Sequence, residues 1–163
     1  TGLYNRRYLQ QILEYEVNRA RRYNQPLSVL FIDLDHFKQI NDKHGHAMGD
    51  KILRQVAGRL SQLFRTTDVL GRYAGDEFVA VLPSTPTAGV DILAERVVAA
   101  LKDFEFMVRG QSVRASVSIG YHTFTGEEGV GAATLIDRAD KAMYTAKSNG
   151  RGRVQAFVEE ATA

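Results

Sequence analysis

The stretch Val69 to Leu82, VLGRYAGDEFVAVL, constrains the fold more than any other. It reads as two short strands around a tight turn. Val69 to Tyr73 is one arm, Phe78 to Leu82 the other, and Ala74-Gly75 lies at the bend. Glycine tolerates the positive φ that two-residue hairpin turns require, and a small neighbour fits beside it. The second arm, FVAVL, is apolar throughout, which predicts a strand buried on both faces. Two acids, Asp76 and Glu77, stand at its mouth. The hairpin by itself leaves two readings equally open: an acidic turn, or a metal or proton-transfer site.

The rest of the chain supplies helices to cover such a strand. Thr1 to Tyr23 carries an i, i+3, i+4 stripe of Leu9, Ile12, Leu13, Glu16 and Val17, so residues 1–24 are expected to form a helix that packs on or precedes the core. Leu27 to Ile32 is a continuous apolar run that ends in Asp33-Leu34-Asp35, the end of a strand where open sheets place ligands. HFKQINDKHGHAMGD follows as a short helix, a loop and a helix start. His44 and His46, two apart with no third partner, do not make a metal site. Met48 to Phe64 is a helix with Leu53, Val56, Ala57, Leu60, Leu63 and Phe64 inward. Asp50 falls three positions before Leu53, on the same stripe.

After the hairpin the pattern predicts a helix over Thr87 to Leu101. Strands over Phe104 to Val108 and Val113 to Phe124 come next, then a helix over Ala132 to Lys147 stopped by Asn149-Gly150. A last strand, Val154 to Val158, closes the chain. This order implies an α+β fold of the palm or ferredoxin-like kind, a mostly antiparallel central sheet flanked by helices.

The 163 residues suit one domain, 1–163, and the opening TGLYNRR without an initiator Met suggests a piece excised from a longer protein. A net charge of +2 implies no nucleic-acid partner, and any anion binding must be local. The absence of cysteine excludes disulfides, thiolate metal sites and a cysteine nucleophile, and fits a cytoplasmic setting. No apolar run approaches the ~18 residues of a membrane span.

Asp33, Asp76 and Glu77 then fall at strand ends or turns of one sheet. If the first strand neighbours the hairpin, three carboxylates face one another. Such a group makes sense around a divalent cation with hard oxygen ligands, Mg²⁺ above all. Lys38, Lys147 and Arg151 are placed to neutralise phosphates. Metal, cations and a palm-like sheet together point to phosphoryl or nucleotidyl transfer.

These residues carry a family resemblance. TGLYNRR, FIDLDHFKQIND with GHAMGD after it, RYAGDEF, and ADKAMYTAKSNGRGRV follow one another in the order of a GGDEF domain, the diguanylate cyclase family. The resemblance implies condensation of two GTP into cyclic di-GMP by a homodimer whose subunits each hold one GTP. It also implies Mg²⁺ (or Mn²⁺) and an upstream sensor or receiver domain, with the domain on the cytoplasmic side even where the protein is membrane-anchored. By motif position, Asp33 and Asp76 would ligate metal with the Leu34 carbonyl, and Glu77 would be a ligand or the base. Asn41 and Asp50 would read guanine. Phe37, Lys38, Lys147 and Arg151 would hold phosphates, and Arg72 would stabilise transition-state charge. Arg65 and Asp68, in an RxxD motif with five residues between Asp68 and Ala74, would bind inhibitory product together with Arg96.

One position departs from the family pattern: Ala74 replaces the first glycine. If that glycine has positive φ, Ala strains the turn by roughly 1 kcal/mol. Its Cβ is also expected to project toward the ribose and α-phosphate and to lower turnover. A competing reading follows, a catalytically degenerate module that binds GTP or cyclic di-GMP and signals by contact.

Overall fold

Strand β1, Leu27–Leu34, is buried along all eight residues and lies at the centre of the sheet. Its apolar run leaves no polar face for solvent, so it needs strands on both edges and helices on both faces. A computed structural model of the chain, which describes residues 2–159, shows both. β1 pairs antiparallel with β3, Glu77–Pro83, on one side and with β6, Val117–Phe124, on the other. β2, Val69–Ala74, continues the sheet beyond β3, and β7, Val154–Ala156, pairs parallel to β6. The order is β2-β3-β1-β6-β7.

Alternate residues of the strands face different helices. Leu27, Val29, Phe31, Val79 and Val81 pack against α1, Arg6–Tyr23, and α5, Ala132–Ser148. Leu30, Ile32, Phe78, Ala80 and Leu82 pack against α3, His46–Ser61, and α4, Thr87–Lys102. The α+β, palm-like layering is thus present. α1 is capped at its start by Asn5, whose side chain accepts from Tyr8 N at 2.9 Å. Leu9, Leu13, Glu16 and Val17 are buried as its periodicity predicts, and Ile12 is half-buried. No helix among the described residues is long and apolar enough to cross a membrane.

Three local expectations are corrected. The bend of the hairpin is Gly75-Asp76, because Ala74 still pairs with Glu77 and the register shifts at a bulge between Arg72 and Ala74. Val113 to Phe124 is two strands. Residues 115–116 break it, and β5, Gln111–Arg114, pairs with β4, Glu105–Val108, in a separate two-stranded sheet. The loop between α2, Phe37–His44, and α3 shrinks to the single residue Gly45, whose φ of 88° ends one helix and starts the next.

α5 lies on β6 with no side chain between their backbones at Gly120. A Cβ added there would collide with Met143 N and the Ala139 carbonyl. Overpacking of a buried contact typically costs 1–3 kcal/mol. Gly120→Ala is therefore expected to lower stability by about 3 kcal/mol, at the upper end of that range because the collision is with backbone. Urea unfolding of the two proteins measures the difference.

Candidate active site

At the C-terminal end of β1 the side chain of Asp33 is buried, with 7% of the residue exposed. Lys147, in the last turn of α5, donates to Asp33 Oδ2 at 2.5 Å. Three buried side-chain polar atoms among the described residues have no hydrogen-bond partner, and two of them, Asp33 Oδ1 and Asn41 Oδ1, belong to predicted site residues. The turn of the hairpin closes over β1. Leu34 N donates to the Asp76 carbonyl at 3.2 Å, and Asp33 pairs in register with Glu77.

The Asp33 carboxyl is held up at about 7 by the balance of its surroundings, and burial is the largest cause. The Lys147 hydrogen bond pulls it back, and Asp76 pushes it further up. Glu77 is also raised, by burial first, then by Asp140 and Asp76, against Lys147 and Arg6. Asp140, on α5, is raised by burial and by Asp137. The three acids act on one another, Asp76 on both Asp33 and Glu77, without closing into a ready-made cage. Among the described residues no three His, Cys, Asp or Glu side chains come together as a metal cage. Asp33 meets Asp76, while the charged neighbour that acts most on Glu77 is Asp140. Two carboxylates with one buried, unpartnered oxygen still suit Mg²⁺, which takes few protein ligands and shares substrate phosphates.

Beside this corner α2 and α3 meet at Gly45. The Asn41 side chain lies across Gly49, where an added Cβ would collide with Asn41 Oδ1 and come within 3.1 Å of the Phe37 ring. The glycine thus makes room for a buried, unpartnered amide oxygen. Asp50, the next residue, is exposed rather than inward. At 3.6 residues per turn a three-residue offset rotates a side chain by roughly 60° from Leu53, which carries Asp50 to the flank of the buried stripe. Phe37 is half-buried and Lys38 exposed in the first turn of α2. Its N-cap, His36, makes no side-chain cap bond, so first-turn N–H groups are left for other acceptors. Arg151 is exposed just past α5, with φ 61°. Arg72 Nε donates to the Gly75 carbonyl at 2.8 Å, which ties the half-buried arginine to the turn.

The Ala74 expectation fails on its backbone premise. Ala74 is an exposed strand residue and is not among the positive-φ positions, nor is Gly75. Alanine there strains nothing.

A second groove, of about 250 Å³, brings Arg65, Asp68 and Arg96 together with Ser84 and Thr85. Asp68 accepts from Arg65 N at 2.9 Å and from Arg65 Nη2 at 3.4 Å. Arg65 Nη2 also donates to Thr85 Oγ1 at 2.6 Å, and Arg96 Nη2 to the Leu63 carbonyl at 3.0 Å. A wider groove, about 1170 Å³ between α5 and residues 155–159, contains none of Asp33, Asp76 or Asn41, so size does not locate the chemistry.

Sequence reasoning passed over two acids. Asp140 lies on the polar side of α5, and nothing in its spacing marks it as a neighbour of Glu77. Asp35 is buried and accepts from Ser118 Oγ at 2.6 Å, Ser116 Oγ at 2.5 Å and Gly152 N at 3.0 Å. It holds the end of β1 to the loop behind α5. The two serines two apart, Ser116 just ahead of β6 and Ser118 on it, were the available signal.

Comparison with known proteins adds the following. Residues 1–153 match the family described as "Diguanylate cyclase, GGDEF domain". The chain is 41% identical over 155 residues to diguanylate cyclase DgcP of Pseudomonas aeruginosa, covering 95% of this chain and 23% of that protein. It is 40% identical over 156 residues to response regulator PleD of Caulobacter vibrioides, covering 94% and 34%. It therefore spans about a quarter to a third of these relatives' length. The crystal structure of the GGDEF domain of DgcB from Caulobacter crescentus, in complex with c-di-GMP, matches with a TM-score of 0.91 at 28% identity, covering 96% of this chain and 92% of that one.

The Asp33 carboxyl generates a pH prediction. Its folded value of about 7 lies above the ordinary 3.8, so between these limits the folded state keeps a proton that the unfolded chain has lost. Metal-free stability should fall as pH rises through that window and level off above it. Glu77 and Asp140 act in the same direction. Asp33→Asn is expected to flatten the slope, as read from urea unfolding at half-unit steps of pH.

Proposed function

The chain belongs to the diguanylate cyclase GGDEF-domain family, and we propose that it condenses two GTP into cyclic di-GMP and two pyrophosphates across a pair of facing copies. The observation that carries this reading is the corner at the end of β1. There a buried aspartate keeps one oxygen unpartnered, beside the acidic turn and one residue from the backbone of Leu34. Asp33, Asp76 and the Leu34 carbonyl would hold Mg²⁺ or Mn²⁺, with Glu77 as a further ligand or as the base for the 3′-hydroxyl. The cation, when bound, supplies neutralisation of phosphate charge and polarises the phosphoryl oxygen.

The other roles fall to this chain's own side chains. Asn41 and Asp50 read guanine. The carboxylate accepts from N1–H and N2–H₂ together, a donor pair that adenine lacks. Phe37 and Lys38 at the start of α2, with Lys147 and Arg151 at the end of α5, hold the phosphates. Arg72 offers the guanidinium nitrogens not spent on Gly75 to the charge that develops at the α-phosphate. Product returns to the groove of Arg65, Asp68 and Arg96 and inhibits. The chain is a single domain of a longer cytoplasmic or membrane-anchored protein whose upstream sensor or receiver domain sets dimerisation. An unstrained Ala74 removes the backbone argument for a degenerate binding module and leaves the Cβ argument to the activity test below.

Three outcomes test the proposal. Incubation with GTP and Mg²⁺ at high protein concentration should yield pppGpG or cyclic di-GMP, with a rate per subunit that rises with concentration. No product, even from copies joined through a fused coiled coil, rejects the enzyme. Asp50→Ala should lose more than about tenfold in GTP-over-ATP preference, since a charge-assisted contact is worth roughly 1.5–3 kcal/mol. An unchanged preference removes Asp50 from base reading. Arg65→Ala should abolish tight cyclic di-GMP binding in calorimetry while leaving turnover in place. Equal affinity would leave Arg65 and Asp68 as an ordinary surface ion pair.

A further inference from the structure

The segment ahead of α1 is fastened to the AGDEF hairpin from behind. The Tyr4 carbonyl accepts from Arg72 N at 2.8 Å, and Tyr4 bridges Gly71 in parallel. Gly71 permits that approach. A Cβ there would stand 2.5 Å from Leu9 Cδ1 and 2.8 Å from the Tyr4 carbonyl oxygen. Two residues after Tyr4, the Arg6 guanidinium lies 4.3 Å from the centroid of the Tyr73 ring. That ring in turn meets Phe31 of β1 edge-on at 5.3 Å. Tyr73 is thus held between a cation on one element and an aromatic residue on another.

The location of Tyr73 matters. It occupies the register shift between Arg72 and Ala74. A bulged residue is released from ladder pairing, so the pairing of β2 with β3 does not by itself fix the direction of the chain there. Bulges re-aim neighbouring side chains. Arg72 is on one side of this bulge and the Gly75-Asp76 turn just beyond it, and Arg72 Nε already reaches Gly75 O at 2.8 Å. Whatever fixes Tyr73 therefore fixes the aim of both. Arg6 is itself exposed.

We propose that Arg6 is a positioning residue: by stacking on Tyr73 it pins the bulge and so aims the Arg72 guanidinium and the Asp76 turn. The inference rests on the cyclase reading for its effect on rate, but its structural half does not. A solvated arginine on a helix face would give neither effect. Displacements of about an ångström at a reacting centre can cost up to roughly a hundredfold in rate, and a loosened bulge is a smaller disturbance.

The test compares the parent with Arg6→Ala, Arg6→Lys, Tyr73→Phe, Tyr73→Leu and the Arg6→Ala/Tyr73→Leu double variant. Arg6→Ala is expected to lower kcat about tenfold with KM for GTP within about twofold, the signature of lost alignment rather than lost binding. Arg6→Lys, which keeps a cation over the ring, and Tyr73→Phe, which keeps the ring, should both recover most of kcat. The double variant should be no slower than Tyr73→Leu alone, because the two side chains act as one unit. Amide hydrogen exchange at residues 72–77 should speed up in Arg6→Ala, while the protection of β1 stays as in the parent. A parental kcat in Arg6→Ala, or additive losses in the double variant, overturns the proposal. If the parent makes no product, the cyclase reading fails on its own account. Exchange at 72–77 then decides: unchanged exchange in Arg6→Ala overturns the pinning as well, and faster exchange upholds it.

Discussion

A carboxylate at the end of the most buried strand is the constraint on which the rest of the site depends. Asp33 cannot be charged in that position without help, because burial penalises the ionised form. Help comes from Lys147 on α5, the helix whose backbone lies directly on β6 at Gly120. The same packing brings Asp140 close enough to raise Glu77. One helix thus supplies both the cation beside Asp33 and the acid that acts on Glu77. Asp35, two residues on, shows the contrasting solution. It takes three donors from the protein and has no oxygen left over. The two aspartates of one motif therefore divide the work: one locks the sheet corner, and the other is left with an unpartnered oxygen.

Most of the fold was legible because burial writes itself into sequence as period. β1 and β3 are continuous apolar runs, and α1, α3, α4 and α5 carry stripes whose residues are buried where the spacing places them. The break at residues 115–116 was not legible for the same reason. Val113, Ala115, Val117 and Ile119 alternate straight through it and are all buried, although they serve two sheets. What divides them is hydrogen bonding: Asp35 N donates to the Ser116 carbonyl at 2.9 Å, and a period cannot report that bond. The hairpin bend was misplaced by one residue because Ala-Gly looks like a turn, whereas the bulge at Tyr73 shifts the pairing.

The site was legible in part. Asp33, Lys147 and Asp76 form a corner, Asn41 faces Gly49, and Arg65, Asp68 and Arg96 share a groove. The inward aspect of Asp50 was misjudged because a three-residue spacing was treated as the same azimuth. The partners of Glu77 and of Arg6 could not be read, since each pair joins elements far apart in sequence. The acidic corner and the Arg65 groove lie at opposite ends of β3: Asp76 and Glu77 where it begins, Thr85 just past its end. Seven strand residues separate them by roughly 23 Å at 3.3 Å each.

The strand order has a consequence for how copies of the chain can meet. Edge strands with free ladder groups invite a neighbour to extend the sheet and, beyond it, ordered aggregates. Here one edge is β2, whose Arg72 N–H is already spent on Tyr4, and the other is β7, only three residues long. Neither offers a second copy a template to zip onto. Along the five-stranded sheet, encounters between copies are left to side chains rather than to strand addition. Two copies pairing as proposed would then do so through groups that form and release contacts without exchanging strands.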